Sequence, residues 1–160
     1  SASVDCVMAN HMLYHVRDQH AALEEMFRVL RPGGRVIIVT NSADANQRLN
    51  QLHREAARAV GYQALPAVVS AFDGSHGFRV ARVFPNVETY EYTDAFRFPT
   101  AETALRYYAS AMIDSTADRP IDDRHRALLL EEMGRRMDTI IDAEGSLRVP
   151  KGAVCFRAVK

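Results

Sequence analysis

The sequence predicts an α/β fold in which parallel strands alternate with helices. A strand, a helix and a second strand follow one another within the first 40 of 160 residues. Both strands, Val4–Ala9 and Val36–Val39, are short and almost wholly apolar, which is typical of strands covered on both faces. Because a helical crossover joins them, we expect a right-handed βαβ unit with the two strands as parallel neighbours.

The helix between these strands has a recognisable start and end. Asp18 can cap its first turn. Pro32 and Gly33 then suit the second and third positions of a tight turn, and the third position requires a positive φ. The apolar residues between them recur at intervals of three and four and form one face: Leu23, Met26, Phe27 and Leu30.

Further helices and strands are predicted along the rest of the chain. Helices are expected from about Ala45 to Val60, after Thr100, which can cap one, and from about Arg124 to Ala143. Leu65–Phe72 could form a short helix, and Val87–Tyr92 is predicted to be a strand.

The C-terminal segment is predicted to form a hairpin. Its strands would be Ser146–Val149 and Ala153–Val159, joined by a turn at residues 150–152. No internal repeat, low-complexity tract or linker interrupts the sequence. We therefore predict a single domain over residues 1–160.

Composition excludes several classes of partner. Lys and Arg number 20, as do Asp and Glu, so no net charge attracts nucleic acid or an anionic membrane. No segment approaches the roughly 18 apolar residues of a membrane span, and no signal segment is found. Cys6 and Cys155 lie in apolar runs without the spacing of a zinc site or any other metal site, and we interpret them as buried free thiols. This predicts a reducing, cytoplasmic location.

The loop that leaves the first strand is the candidate site. Asn10, His11, Tyr14 and His15 place an amide, two imidazoles and a phenol within six positions. Ligands of an open parallel sheet bind beyond the carboxyl ends of its strands, where this loop lies. Histidine can take a proton near neutral pH, and Asn and Tyr can orient polar groups. The structural alternative is that His11 and His15, four residues apart, merely cap a turn or pack against the sheet.

Other histidines and tyrosines are predicted to be structural. Tyr108 and Met112 fall on the apolar face of their helix, which favours core packing over an acceptor pocket. His76 lies between two glycines and is predicted to be a solvated loop residue. His53 and His125 are single histidines on helices and are predicted to be structural or exposed.

Three stretches of the N-terminal region together resemble the fourth-strand to fifth-strand region of class I S-adenosylmethionine-dependent methyltransferases. They are Ser3–Asn10, Leu13–Val16 and Val29–Gly34. The later layout is similar too, with residues 87–92 like the sixth strand and residues 145–159 like the antiparallel seventh, which inserts between strands five and six. The resemblance implies a Rossmann-like methyltransferase sheet of which this chain holds only the second half: strands four, five, seven and six with flanking helices.

The family's cofactor site is only partly represented. Its glycine-rich first loop has no counterpart here, so the resemblance implies a fragment that lacks the N-terminal cofactor-binding half of the domain. Such a chain is expected to be inactive alone. We expect it to expose an open strand edge and apolar surface, through which it could form a homodimer.

The function implied by the resemblance is methyl transfer from S-adenosylmethionine to a small-molecule acceptor. By the family's pattern, Asn10 and His11 contact the cofactor, Tyr14 binds the acceptor, and His15 acts as base if the acceptor loses a proton. No metal, nucleic-acid or membrane partner is implied. Two alternatives stay open: a non-catalytic methyltransferase-like binding or assembly module, and another doubly wound enzyme such as a nucleotide-linked oxidoreductase.

Overall fold

The computed structural model describes residues 2–66, 71–117 and 119–160. Within these ranges the chain forms two compact units. The first, here called the sheet unit, contains residues 2–45, 71–94 and 151–160. The second, the helical unit, contains residues 46–66, 95–117 and 119–150. The sequence predicts a single domain over residues 1–160, and the division into two compact units does not test this prediction.

The regular elements of the described chain, in order, are β1 (Val4–Asn10), α1 (Gln19–Val29), β2 (Leu30–Asn41), α2 (Gln47–Ala59), α3 (Gly77–Ala81), β3 (Glu88–Tyr92), β4 (Ala95–Phe98), α4 (Ala101–Ala111), α5 (Arg124–Glu144), β5 (Leu147–Pro150) and β6 (Ala153–Val159). Short 3-10 turns at Leu13–His15 and Gly74–His76 precede α1 and α3. Residues 67–70, half of the predicted short helix at Leu65–Phe72, lie outside the described residues, and the four described residues of that segment are not helical.

The sheet unit is built on a mixed four-stranded sheet of order β1-β2-β6-β3. β1 and β2 are parallel and joined through α1, so the predicted βαβ unit and α/β class are confirmed. β6 is antiparallel to β2 on one side and to β3 on the other. The carboxyl ends of the two parallel strands therefore lie at the same end of the sheet, where the candidate loop leaves β1.

The ends of α1 are those the sequence predicts. Asp18 caps the helix, because its Oδ1 accepts a hydrogen bond from the N–H of Ala21 at 3.0 Å. Gly33 has a φ of +80°, as the predicted turn requires, and this turn lies in the irregular first part of β2, where the register with β1 shifts. The turn is held against the C-terminus, since the N–H of Gly33 donates to the carbonyl of Lys160 at 3.0 Å. Leu23 and Leu30 are fully buried on the predicted apolar face.

The predicted C-terminal hairpin is wrong. β5 pairs with β4, whereas β6 pairs with β2 and β3, so the two consecutive strands belong to different sheets. The residues between them bond to other segments instead of closing a turn. Lys151 donates its N–H to the carbonyl of Asp94, and the carbonyl of Gly152 accepts from Ser42, both at 2.9 Å.

β1 is a strand, but it is not covered on both faces. Only Ala9 is buried and Val7 half-buried, and the alternate side chains Cys6, Met8 and Asn10 are exposed. The core covers only the face of β1 to which Val7 and Ala9 belong. The prediction that both thiols are buried is also wrong: both are free, but Cys6, on the other face of β1, is exposed and Cys155, in β6, is half-buried.

Each unit has its own apolar core. In the sheet unit, buried side chains of α1, β2, α3 and β6 meet, among them Leu23, Val36, Ile38, Val80 and Phe156. In the helical unit, α2, α4 and α5 pack together around Leu52, Ala56, Tyr108, Met133 and Met137. The apolar spacing of α2 predicts a face of Leu49, Leu52, Ala56 and Ala59, but Ala59 is exposed and Ala57 is buried in its place. None of the helices in the described ranges is long and apolar enough to cross a membrane.

Candidate functional site

The candidate loop begins where β1 ends. Asn10, the last residue of β1, lies opposite Val39, and the N–H of His11 still donates to the carbonyl of Val39 at 2.8 Å. His11 then adopts a φ of +50°, in the left-handed region, which ends the extended strand. This region is uncommon for residues other than glycine. The side chains of Asn10 and His11 are both exposed at this carboxyl end of the strands.

A 3-10 turn at Leu13–His15 brings the aromatic side chains of the loop together. Leu13 is almost fully buried and anchors the turn in the core. The Tyr14 ring lies between the two imidazoles, with its centroid 6.4 Å from that of His11 and 4.5 Å from that of His15. His15 is exposed and Tyr14 is half-buried.

Neither imidazole of this loop has the structural task that the alternative interpretation gives it. Within the described residues, the side chains of His11 and His15 make no hydrogen bond, and both are exposed. They neither cap the turn nor pack into the sheet. Their ring nitrogens are therefore available to a ligand.

An open concavity of about 1150 Å³ lies beside this turn. Its walls come from the turn, the first turn of α1 and α3. Two of the four predicted site residues, Tyr14 and His15, line it, whereas Asn10 and His11 lie outside its lining, at the end of β1. The other lining residues are Val16, Arg17, Asp18, Gln19, His20, Ala71, Phe78, Arg79 and Arg82.

Gln19 ties the walls of the concavity together. Its side chain is buried, and its Nε2 donates to the carbonyls of Leu13 at 3.2 Å and Ala71 at 2.9 Å. The Arg79 guanidinium donates to Gln19 Oε1 and, at 3.1 Å, to the carbonyl of Ala71. The 3-10 turn, α1 and α3 are thus joined by one hydrogen-bond network.

The lining carries more positive than negative charge. Arg17, Arg79 and Arg82 face a single carboxylate, Asp18, which already accepts the capping bond of α1. The Arg79 and Arg82 guanidinium carbons lie 5.8 Å and 5.7 Å from the centroid of the Phe78 ring. The sequence does not distinguish helix from strand in the segment that contains Phe78, Arg79 and Arg82. Only the formation of α3 puts the two arginines, three positions apart, on one side of a helix.

The loop before α3 is more ordered than predicted. Asp73 Oδ1 accepts from the Ser75 N–H at 2.8 Å and from its hydroxyl at 2.6 Å, while the N–H of Asp73 donates to His76 Nδ1 at 3.1 Å. The His76 side chain is only 15% exposed, so the prediction of a solvated residue is wrong. Burial raises the pKa of Asp73, but the two hydrogen bonds from Ser75, with a smaller effect from the nearby His76, outweigh it and leave that pKa lowered.

The two helical histidines are buried within the helical unit. His53 Nδ1 lies 2.8 Å from the Tyr108 hydroxyl, and its Nε2 lies 2.9 Å from the carbonyl of Ser115. Burial raises the pKa of Tyr108, with a smaller effect from Asp114. His125 Nε2 lies 3.3 Å from Asp114 Oδ1. These contacts confirm that Tyr108 is a core residue and that both histidines are structural.

Comparison with known proteins identifies the N-terminal segment. Residues 1–38, which include β1, the candidate loop and α1, match a family model described as a methyltransferase domain. The chain is similar to methyltransferases over part of its length. A ubiquinone/menaquinone biosynthesis C-methyltransferase, UbiE, from Cronobacter sakazakii is 34% identical over 90 residues, which cover 53% of this chain and 34% of the relative. UbiE from Vibrio cholerae is 39% identical over 49 residues, or 31% of this chain and 19% of the relative.

The chain spans about a third of the length of the curated relatives it matches, as the 34% coverage of Cronobacter UbiE shows. Among solved structures, YcgJ from Bacillus subtilis has 15% identity and a TM-score of 0.49, over 99% of this chain and 64% of that protein. Phosphoethanolamine N-methyltransferase 2 from Haemonchus contortus, solved with phosphomonomethylethanolamine and S-adenosylhomocysteine, has 14% identity and a TM-score of 0.43, over 99% and 34%.

Proposed function

We propose that the whole protein to which this sequence belongs transfers a methyl group from S-adenosylmethionine to a small-molecule acceptor. The observation that carries the proposal is that residues 1–38, the methyltransferase-like segment, contain an exposed imidazole, His15, which lines a concavity and lies in the loop after the carboxyl end of a parallel strand. The relation to UbiE C-methyltransferases supports it. We expect this chain by itself to be inactive.

The strand order supports a detailed equivalence with the family's sheet. We take β1, β2, β6 and β3 to be the fourth, fifth, seventh and sixth strands of a Rossmann-like methyltransferase domain. The order β1-β2-β6-β3, with β6 antiparallel to both neighbours, is the arrangement this equivalence requires. On this basis the chain holds the second half of the domain, and the site that it carries is one wall of a larger one.

Asn10 and His11 are the residues we assign to the cofactor. Their polar side chains stand exposed at the end of β1 and make no hydrogen bond within the described part of the chain. They therefore fit the amino and carboxylate groups of the methionine end. When bound, S-adenosylmethionine supplies the electrophilic methyl carbon.

Tyr14 and His15 are the residues we assign to the acceptor. Both line the concavity, and their rings lie 4.5 Å apart, so an acceptor seated there touches a phenol and an imidazole together. Alignment of the acceptor lowers the barrier, by roughly 7–11 kcal/mol in the most favourable cases. If the acceptor is a phenol or an alcohol, neutral His15 takes its proton as the oxygen is methylated.

The variant His15→Ala of the whole protein tests the role of His15. We expect kcat to fall about 10²–10⁴-fold with KM nearly unchanged, because a base acts on the proton rather than on binding. Arg54→Ala, at an exposed position of α2, is the control. Normal turnover by His15→Ala would remove the assignment.

A second candidate function is a non-catalytic binding or assembly module with a methyltransferase-like scaffold. It is favoured by one observation: the exposed side chains of Asn10, His11 and His15 would serve to bind a ligand without any catalysis. Calorimetric titration of S-adenosylmethionine into the whole protein separates the two. Saturable binding supports the enzyme, and an absence of binding supports the module.

Two further properties belong to the same proposal. We place the protein in the cytoplasm, because both cysteines are free thiols. We also propose that this chain, taken alone, forms a homodimer through the open edge of β1. Among the described strands, β1 has only β2 as a neighbour.

A further inference from the structure

The concavity beside the 3-10 turn has the chemistry of an anion site. We propose that it binds the acceptor through an anionic oxygen group, a carboxylate or a phosphate, attached to a planar ring. Arg17 and Arg82 would bind the anion, and the Phe78 ring would contact the planar part. This inference rests on the proposed function and specifies its substrate class.

The first argument is the uncompensated charge of the lining. Three guanidinium groups and one carboxylate line the concavity, so its net charge is +2 when His15 and His20 are neutral. Arg17 and Arg82 form no ion pair with any described residue, whereas most other arginines of the chain have an acidic partner, as Arg31 does with Asp5 at 2.9 Å. Charge of one sign collected in a concavity attracts a ligand of the other sign.

The second argument is the placement of Arg79 and Arg82 around one ring. Both guanidinium carbons lie within 6 Å of the Phe78 centroid, at 5.8 and 5.7 Å. Arg79 is fixed there by Gln19 and the carbonyl of Ala71. The two guanidinium groups repel each other, and Asp18 is the one carboxylate among the lining residues that offsets this repulsion. A bound anion would offset it further. The planar fork of a guanidinium suits carboxylate and phosphate, which it can bind through two parallel hydrogen bonds.

The third argument is the exposed aromatic surface in the same wall. Phe78 is 54% exposed although its neighbours are charged, and the half-buried Tyr14 lines the same concavity. A planar apolar group of a ligand would cover this surface. The first turn of α1 also faces the concavity, and the partial positive charge of a helix N-terminus adds to the attraction for an anion.

Three probes test the charge requirement directly. Benzoate, phenyl phosphate and uncharged benzamide share a ring and differ in the group it carries. We expect one or both anions to bind at least tenfold more tightly than benzamide in calorimetry, and the tighter one identifies the preferred group. In NMR spectra of the labelled protein, the affected signals should be those of Tyr14, His15, Phe78 and Arg82. Equal affinities for all three probes, or signals affected elsewhere, would overturn the inference.

Variants assign the preference to the arginines. The double variant Arg17→Gln, Arg82→Gln should lose at least tenfold in affinity for the anionic probe and keep its affinity for benzamide. Arg17→Lys, Arg82→Lys should retain part of the preference, since it keeps the charge but loses the fork. Arg54→Gln, Arg58→Gln, which alters two exposed arginines of α2, should bind like wild type. Unchanged anion binding by the first variant would contradict the proposal.

These measurements need neither cofactor nor turnover, so they separate this inference from the proposed function. Selective anion binding with no methyl transfer by the whole protein would support the anion site and contradict the proposed methyltransferase function. Methyl transfer to an uncharged acceptor, with no preference among the three probes, would support the proposed methyltransferase function and contradict the anion site.

Discussion

Asp73 shows how a single side chain can organise a loop that composition makes look flexible. Its carboxylate accepts both the N–H and the hydroxyl of Ser75, and its own N–H is bound by His76. Gly74 and Gly77 permit this arrangement, because a Cβ at either position would lie within 3 Å of a side chain of β6, Val154 at 2.5 Å and Phe156 at 2.7 Å. The cap therefore holds the start of α3 closely against the sheet.

Replacing Asp73 by Asn should destabilise the protein in a pH-dependent way. We expect a loss of about 2 kcal/mol near neutral pH, because hydrogen bonds to a buried charge are among the stronger ones. The pKa of Asp73 is lowered in the folded state, so its stabilisation is present above the unfolded value of about 3.9 and is lost as pH falls further. Urea unfolding of wild type and variant should therefore give free energies that converge in acid.

Asp44→Asn is the matched control, since Asp44 is an exposed carboxylate of the same unit. It should change stability by less than about 0.5 kcal/mol at any pH. A difference between wild type and Asp73→Asn that does not vary with pH would show that the charge of Asp73 does not stabilise the fold.

At the scale of elements, α5 shows what local pattern can predict. Its apolar residues recur at helical spacing, and Gly145 follows with a φ of +77°, so the predicted and observed ends agree within one residue. Met133 and Met137 are fully buried, as that pattern requires.

Met133→Ala should destabilise the helical unit substantially. The side chain is fully buried among α4 and α5 residues, so we expect a loss of about 2–5 kcal/mol in urea unfolding from lost contacts and a residual cavity. Leu128→Ala removes a similar side chain that is 41% exposed on the same helix, and should cost under about 1 kcal/mol. Similar losses in both variants would contradict the packing of α5 described above.

The predictions that failed are those that depend on partners distant in sequence. The pattern at 146–159 is that of a hairpin, yet its two strands pair with β4 and with β2 and β3. The candidate loop was found because its polar residues are consecutive. Arg79 and Arg82 could not be placed beside it, because they lie 64 and 67 positions after His15 and only tertiary packing brings α3 to the turn.

At the scale of the whole molecule, the four-stranded sheet has two chemically different edges. β1 is a mostly apolar edge strand in which Val4 is 37% and Met8 is 61% exposed, and its one charged residue, Asp5, is paired with Arg31 at 2.9 Å. β3, at the other edge of the described sheet, carries charge, since Glu88 lies 3.1 Å from Arg157 and also accepts from the Tyr90 hydroxyl. Charged side chains discourage edge-to-edge pairing, and an apolar edge invites it.

We therefore expect the 160-residue chain to self-associate through β1. In sedimentation velocity under reducing conditions it should form a dimer, and Cys6→Lys, Met8→Lys should shift it to monomer, because lysines on an open edge oppose strand pairing. Tyr90→Lys, Tyr92→Lys places two lysines on the opposite edge and should leave the dimer intact. A wild-type monomer would contradict the prediction. Dissociation by the β3 variant alone would place the interface on the other edge. Because β1 leads directly into Asn10 and His11, pairing at this edge would also bring the second copy close to the residues assigned to the cofactor.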